Sequence, residues 1–174
     1  PQFSTAYDEQ IVNASTDFDR VAWKALAAQD YFLLVGPPGT GKTSRALRLM
    51  VERFRENPEV HILLMAYTNR AVDEICKALS AITPAVDFIR VGSELSCDAA
   101  YRNHLMENEL ALCTRRSEVV ERMVSCRIFV GTVASIAAKP ELFRLKTFDV
   151  AIVDEATQIL EPHLLGIQIG RAHV

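Results

Sequence analysis

The sequence has few of the features that mark disulfide-rich, zinc-binding, membrane or secreted proteins. Its four cysteines, at positions 76, 97, 113 and 126, form no C-x-x-C pair, so we expect neither a zinc site nor a disulfide framework. The longest apolar runs are only as long as a strand, so no membrane span is predicted. No secretory signal is recognisable either. These absences favour reduced thiols and an intracellular location, in the cytoplasm or a nucleus.

An excess of positive charge is also missing. The 19 Lys and Arg residues face 22 Asp and Glu residues, which gives a net charge of -3. No global basic field is available to attract nucleic acid, so any such contact has to be local. The length of 174 residues, with 49% hydrophobic and 24% charged residues, suits one globular domain with a proper core.

Five short apolar runs are typical of strands that are buried on both faces. They are rich in Val, Ile, Leu and Phe without clean alternation, and they occupy residues 31–35, 60–67, 86–91, 127–131 and 148–153. Helical patterns lie between most of them, for example Leu47, Met50, Val51 and Phe54 on one helix face. This alternation predicts an α/β fold with a parallel sheet.

Two further helical regions are predicted around this frame. Residues 19–29 form a helix ahead of the first strand, and the polar stretch 98–125 is long enough for two helices. We assign 93–126 as a mostly helical insertion within a single domain that comprises residues 1–174. Because the chain opens on Pro1 rather than Met, we expect it to be a piece of a longer protein.

The stretch L-L-V-G-P-P-G-T-G-K-T-S at residues 33–44 matches the phosphate-binding template G-x-x-x-x-G-K-[ST]. Its glycines let successive backbone N–H groups point at phosphate oxygens, and the following helix adds its positive end. Lys42 is expected on the β- and γ-phosphates, and the Thr43 hydroxyl on Mg²⁺. The predicted cofactor-binding residues here are Gly36, Pro37, Pro38, Gly39, Thr40, Gly41, Lys42, Thr43 and Ser44. The alternative, a turn that binds nothing, does not explain the order of strand, loop and amphipathic helix.

A pair of carboxylates follows the last predicted strand. Asp154 at a strand end beside the phosphate loop can hold Mg²⁺, which prefers oxygen ligands, and Glu155 can deprotonate the attacking water. Asp154, Glu155 and Lys42 are therefore the predicted catalytic residues, and Thr43 and Asp154 the predicted metal ligands. The alternative is a solvated Asp-Glu turn that caps the next helix.

Three stretches resemble motifs of superfamily 1 helicases, in the branch that contains the nonsense-mediated-decay helicase and the replication nuclease-helicases. D-E-A-T-Q at 154–158 resembles their motif II, D-E-[AS]-x-Q. A-Y-T-N-R-A-V-D-E-I at 66–75 is similar to their motif Ia, and V-G-T-V-A-S-I at 130–136 to the Gly-Thr motif before motif II. All three follow the phosphate loop in the family's order, across about residues 30–162 without the insertion.

The resemblance implies the first RecA-like motor domain of such a helicase, with ATP and Mg²⁺ as cofactors. Gln158 would sense the γ-phosphate or couple the two halves of the motor. Thr68, Asn69 and Thr132 would contact the backbone of single-stranded DNA or RNA, a role that suits neutral donors on an acidic chain. Simpler roles stay open: Asn69 as a helix cap, Thr132 as an ordinary strand-end hydroxyl and Gln158 as a solvated residue.

The sequence departs from the family in two places. The Gln that reads the adenine edge in these helicases is expected near Phe18, whereas Gln10 lies too early. The later motifs and the second RecA-like domain, which carries the arginine fingers, find no match in the 174 residues. Because an arginine finger is worth about 10³–10⁵ in rate, we expect these residues alone to bind nucleotide weakly, to hydrolyse it very slowly and not to unwind.

Two alternatives to a helicase motor stay open at this stage. One is another P-loop ATPase of the AAA+ type, in which G-P-P-G-T-G-K-T is common. The other is a nucleotide-responsive binding module without turnover, against which the intact Lys42, Thr43, Asp154 and Glu155 argue. The sequence does not distinguish DNA from RNA, and the resemblance favours movement from 5′ to 3′.

Overall fold

The computed structural model describes residues 2–37 and 39–159 of the chain. The backbone divides after Glu59 into two compact units, which are taken one at a time below. Within the described residues, no helix is both long and apolar enough to cross a membrane.

The first unit is helical and contains the phosphate loop. Its helices are α1 (Asp8–Val12), α2 (Asp17–Ala27) and α3 (Arg48–Phe54), and a π-helical segment, Lys42–Leu47, leads directly into α3. The Thr16 hydroxyl caps α2 by accepting from the backbone N–H of Asp19 at 3.1 Å. Arg53 joins α3 to α2, because its guanidinium lies 2.9 Å from the Asp19 carboxylate and 4.6 Å from the ring centroid of Trp23.

The second unit is built on a four-stranded parallel sheet in the order β2-β3-β1-β4. In chain order its elements are β1 (Ile62–Ala66), α4 (Asn69–Ser80), β2 (Ile89–Val91), α5 (Met106–Ala111), α6 (Arg116–Ser125), β3 (Ile128–Thr132), α7 (Val133–Ala137), α8 (Pro140–Leu145) and β4 (Val150–Val153). The parallel sheet with helical crossovers confirms the predicted α/β fold class.

The core of this unit lies between the sheet and the helices of its later part. Leu63, Phe129 and Phe148 are fully buried, and the two aromatic rings meet edge to face with centroids 5.6 Å apart. Met123 of α6 and Leu142 of α8 close the same cluster. Every residue of β1 and β3 is buried, as expected for the two central strands of a sheet that is covered on both faces.

Four of the five predicted strands are confirmed, three of them with shorter bounds and that at 127–131 shifted by one residue, and the first is wrong. Residues 31–35 precede the phosphate loop without forming a strand. Tyr31, Leu33 and Val35 are exposed, with 92% of Val35 accessible to solvent. An apolar run is compatible with a strand, but a strand also needs a neighbour that takes its backbone hydrogen bonds, and composition alone does not provide that partner.

The stretch 93–126 is mostly helical, as predicted. It contains 3₁₀ segments at Glu94–Ser96 and Ala99–His104, followed by α5 and α6. Arg122 of α6 binds both oxygens of Asp87 at 2.7 and 2.8 Å and the Glu109 carboxylate at 2.9 Å. These hydrogen bonds raise the pKa of Arg122 and tie α6 to α5 and to the loop before β2.

A buried lysine closes the end of α6. The ammonium of Lys146 donates to the carbonyl oxygens of Met123 at 3.2 Å, Val124 at 2.8 Å and Cys126, and it lies 5.3 Å from the ring centroid of Phe129. Burial lowers the pKa of Lys146. A cation at this place satisfies the last carbonyl groups of the helix and complements its dipole.

The cysteines in the described residues are free thiols, as predicted. Desolvation raises the pKa of Cys76 to about 12 and that of Cys126 to about 11. Both side chains therefore stay protonated near neutral pH and pack as small apolar groups.

A buried ion pair ties α4 to β2 and to the start of the insertion. Arg90 of β2 is fully buried and its guanidinium pairs with the carboxylate of Asp73 on α4. Arg90 also donates to the carbonyl oxygen of Ser96 at 3.2 Å, and Asp73 accepts from the backbone N–H of Asp98 at 3.4 Å. The pair thus fixes the helix that follows Thr68 and Asn69.

Removal of Asp73 is expected to destabilise the protein strongly. The substitution Asp73→Ala leaves the guanidinium of Arg90 buried without its carboxylate, which should lower the free energy of unfolding by about 3 kcal/mol. Glu74→Ala is the matched control, because Glu74 is the next residue on the same helix and is exposed, and it should change stability by less than about 0.5 kcal/mol. Urea denaturation followed by circular dichroism measures both, and equal stabilities of the two variants would contradict the role of the ion pair.

Candidate nucleotide-binding site

The phosphate loop owes its shape to glycines in the left-handed region. Gly39 has φ of +78° and Gly41 has φ of +86°, values that residues with a side chain rarely adopt. At Gly36, a side-chain carbon would lie 3.3 Å from the hydroxyl oxygen of Thr40. Thr40 itself donates to the carbonyl oxygen of Pro37 at 2.8 Å and so closes the turn. The predicted residue Pro38 lies outside the described residues.

Lys42 holds its ammonium over this loop. The group donates to the carbonyl oxygens of Gly36 and Pro37, the latter at 3.0 Å. The cation is therefore positioned by the loop itself, where a phosphate oxygen could replace one carbonyl partner. The loop sequence folds locally in the way that phosphate binding requires.

The helical segment begins directly after the loop, at Lys42. The backbone N–H groups of Arg45 and Ala46 both donate to the carbonyl oxygen of Gly41, at 2.9 and 3.1 Å, so the first turn is wider than an ordinary α-helical turn. Thr43 is half-buried and Ser44 is exposed in this first turn. The start of the segment offers its N–H groups and its positive end to an anion.

Phe18 is a neighbour of the loop that its position in the sequence hardly suggests. A side-chain carbon at Gly41 would lie 3.3 Å from Cζ of Phe18 and 3.5 Å from Cδ of Arg45. The guanidinium of Arg45 lies over the Phe18 ring, 5.7 Å from its centroid. The only signal in the sequence was that Phe18 stands near the place where the resemblance expects an adenine-reading Gln. Gln10, the other candidate for that role, is exposed on α1.

In the second unit, the two predicted carboxylates follow β4. The backbone N–H of Asp154 donates to the carbonyl oxygen of Met65 at 2.8 Å, which fixes Asp154 to the end of the neighbouring strand. Its carboxylate accepts the backbone N–H of Glu155 at 3.0 Å. Glu155 has an exposed side chain and a φ of +52°, which is rare for a residue other than glycine.

The left-handed backbone at Glu155 costs roughly 1–2 kcal/mol and is held by its neighbours. Besides the bond to Asp154, the Glu155 carbonyl accepts the N–H of Gln158 at 2.9 Å, inside the 3₁₀ turn Ala156–Gln158. Backbone strain of this kind clusters at active sites. The Gln158 side chain is exposed, which is compatible with both interpretations of this residue.

The side chains predicted to contact nucleic acid lie at the edge of the sheet where the strands end, the edge at which Asp154 follows β4. Thr132 ends β3 and is in register with Ala66, the last residue of β1, two residues before Thr68. Thr68 is the cap of α4, because its hydroxyl accepts the N–H of Ala71 at 3.1 Å, so the alternative that Asn69 caps this helix is wrong. Asn69 occupies the first helical position instead, and its side chain is not needed as the cap.

The Thr132 hydroxyl has a structural role of its own. It accepts the N–H of Ser135 at 3.0 Å and donates to the Ser135 hydroxyl at 2.8 Å, and only 6% of Thr132 is exposed. Thr132 therefore caps α7, in line with the simpler interpretation of a strand-end hydroxyl. Any contact between Thr132 and a nucleic acid has to share this hydroxyl.

The residues present suit a nucleotide with a hard cation. The loop combines left-handed glycines, a helix start and an ammonium group, which together fit a phosphate chain. Thr43 offers a hydroxyl at the start of the helical segment, and a hydroxyl oxygen is a kind of ligand that Mg²⁺ accepts. Asp154, described with the second unit, offers a carboxylate, which Mg²⁺ also prefers. No group of three or more His, Cys, Asp or Glu residues that could hold a metal occurs in 2–37 and 39–159.

Comparison with known proteins gives a consistent result. The model of a family described as AAA domain matches residues 14–117. The DNA replication ATP-dependent helicase/nuclease DNA2 of Homo sapiens is 33% identical over 147 residues, which cover 82% of this chain and 13% of that protein. The corresponding proteins JHS1 of Arabidopsis thaliana and DNA2 of Saccharomyces cerevisiae are 30% and 28% identical over 95% of this chain, and the chain covers 12% and 11% of them.

The match extends over most of this chain but over only about an eighth of each relative. The parallel sheet and the phosphate loop agree with a RecA-like P-loop fold. The chain therefore belongs to the AAA domain family, and over most of its length it is similar to proteins named ATP-dependent helicase/nucleases.

Proposed function

We propose that this chain is the ATP-binding motor domain of a helicase that couples hydrolysis of Mg-ATP to translocation on single-stranded nucleic acid in the full-length protein. The observation that carries the proposal is the phosphate loop, in which Gly39 and Gly41 adopt left-handed conformations and the loop carbonyls position Lys42. The ordered helicase motifs and the names of the relatives support it.

The loop supplies binding and charge compensation. Backbone N–H groups of residues 39–44 bind phosphate oxygens, and Lys42 exchanges a carbonyl partner for an oxygen of the β- or γ-phosphate. Charge that develops on the transferred phosphoryl group then meets a cation that is already in place. This preorganisation lowers the barrier without a rearrangement during the reaction.

The carboxylates supply the metal ligand and the base. Thr43 and Asp154 hold Mg²⁺ in this proposal, directly or through water, and the ion neutralises phosphate charge when it is bound. Glu155 accepts the proton of the attacking water, and its exposed carboxylate on a fixed, left-handed backbone is free to meet that water. Gln158, in the turn that follows, senses the γ-phosphate.

The edge formed by Thr68, Asn69 and Thr132 contacts the sugar-phosphate backbone of a single strand. Neutral hydroxyl and amide groups bind phosphates without reading sequence, which suits a motor that moves along its track. Because the relatives are named DNA replication proteins, we propose single-stranded DNA as the strand. A second RecA-like domain of the full-length protein supplies the arginine that stabilises the transition state.

Hydrolysis of ATP by the full-length protein, measured with and without single-stranded DNA, tests the assignment of the catalytic residues. We expect single-stranded DNA to stimulate the hydrolysis of ATP. Glu155→Gln should lower kcat by about a hundredfold or more with nucleotide affinity retained, because it removes the base but not the binding groups. Lys42→Ala should weaken nucleotide binding as well, because the ammonium contacts the phosphates in both the ground and transition states.

Two exposed residues provide matched controls. Glu107→Gln on α5 and Lys24→Ala on α2 make the same chemical changes away from the proposed site and should leave hydrolysis unchanged. If ATP is hydrolysed at the same rate with and without single-stranded DNA, this result would argue against a helicase motor. Wild-type turnover in both Lys42→Ala and Glu155→Gln would reject the assigned site.

Asn69 provides the sharpest test of the proposed strand contact, because the cap of α4 depends on Thr68 rather than on Asn69. We expect Asn69→Ala to weaken binding of single-stranded DNA severalfold and equally for different sequences, with ATP binding unchanged. Fluorescence anisotropy of labelled oligonucleotides measures this, with Asn103→Ala in the exposed part of the insertion as the control. An identical loss in both variants, or no loss in Asn69→Ala, would contradict the proposed contact.

A further inference from the structure

An aromatic ring lies directly against the phosphate loop. Phe18, in the first turn of α2, is partly exposed, and its Cζ would be 3.3 Å from a side-chain carbon at Gly41. The ring comes this close because Gly41 has no side chain. A nucleotide whose phosphates are held by the loop therefore has an apolar ring within reach of the part that leaves the loop.

Arg45 holds this ring in place. Its guanidinium lies over the Phe18 ring at 5.7 Å from the centroid, and its Cδ is 3.5 Å from the same Gly41 position. Phe18 and Arg45 thus both pack against the residue that ends the loop. A cation over an aromatic face stabilises this arrangement and restrains both side chains.

Neither side chain can read the edge of a base in the way that adenine recognition needs. Phe18 has no polar atom, and Arg45 only donates and is always charged. A site discriminates strongly between related ligands when it has paired donors and acceptors that the wrong ligand leaves unsatisfied. A ring, in contrast, contacts every base alike, because every base has a π face.

We infer that Phe18 forms the wall of the site that faces the base, and that the site accepts nucleoside triphosphates with little discrimination between bases. This inference rests on the proposed function, since it requires phosphates to bind at the loop. It adds the substrate class: ATP is one of several nucleotides that the motor uses, and the place at which the resemblance expects an edge-reading Gln carries a stacking residue instead.

Equilibrium binding of Mg²⁺ complexes of ATP, GTP, CTP, UTP and inorganic tripolyphosphate to the full-length protein tests this inference. We expect the four nucleotides to bind within about fivefold of one another, and each about tenfold more tightly than tripolyphosphate, because base stacking adds affinity that is tolerant of the base. Binding of ATP more than about tenfold tighter than each of the other three nucleotides would overturn the inference and leave the proposed function intact. Binding of none of the five ligands would overturn both.

The variant Phe18→Leu tests whether the Phe18 ring causes the extra affinity of nucleotides over tripolyphosphate. Leucine keeps an apolar side chain at this position but removes the aromatic face, so affinity should fall for all four nucleotides by a similar factor and stay unchanged for tripolyphosphate. Phe54→Leu at the end of α3, in the same unit, is the matched control and should bind all ligands as the wild type does. If Phe18→Leu binds the four nucleotides as much more tightly than tripolyphosphate as the wild type does, the role of Phe18 as the wall that faces the base would be overturned. If this variant does not fold, the wild-type comparison of the four nucleotides still decides the question of base selectivity.

Discussion

The parallel register of β1 with both of its neighbours is the constraint on which the chemistry of the second unit depends. Ala66 is paired with Thr132 of β3, and Met65 with Val153 of β4, so all three strands end at one edge of the sheet. Thr132 is the last residue of β3, Asp154 directly follows β4, and Thr68 lies two residues after β1. A shift of the register would separate the proposed metal ligand from the residues proposed to contact single-stranded DNA. Such a shift is costly, because every residue of β1 is buried.

The phosphate loop is determined more locally. Two glycines with positive φ and a lysine that binds the loop's own carbonyl groups create an anion site within a dozen residues. The helices of the first unit add the Phe18 ring and the Arg45 guanidinium, which both pack against Gly41. In the proposed account, binding of the phosphates and contact with the base therefore depend on different residues.

Much of this site could be predicted from the sequence, because its motifs are short and local. The loop glycines, Lys42 and the carboxylates after an apolar strand each carry their chemistry in consecutive residues. Contacts between distant segments could not be predicted: the ion pair of Asp73 with Arg90 and the contact of Phe18 with Gly41 join residues 17 and 23 positions apart, and no pattern specifies them. The strand at 31–35 was wrongly predicted for the same reason, since an apolar run does not name its partner. The alternative that Asn69 caps α4, which the sequence left open, misses the actual cap, Thr68, by one residue, because helix boundaries are where sequence patterns are least sharp.

The central claim is that the binding of nucleotide and the binding of single-stranded DNA are coupled in one motor. Linkage is reciprocal. If a nucleotide changes the affinity of the protein for single-stranded DNA by some factor, single-stranded DNA changes the affinity for that nucleotide by the same factor. The most direct measurement is the affinity of the full-length protein for single-stranded DNA without nucleotide, with Mg-ADP and with a non-hydrolysable Mg-ATP analogue. The account predicts affinities that differ by about fivefold or more between nucleotide states, whereas one affinity in all three states would contradict it.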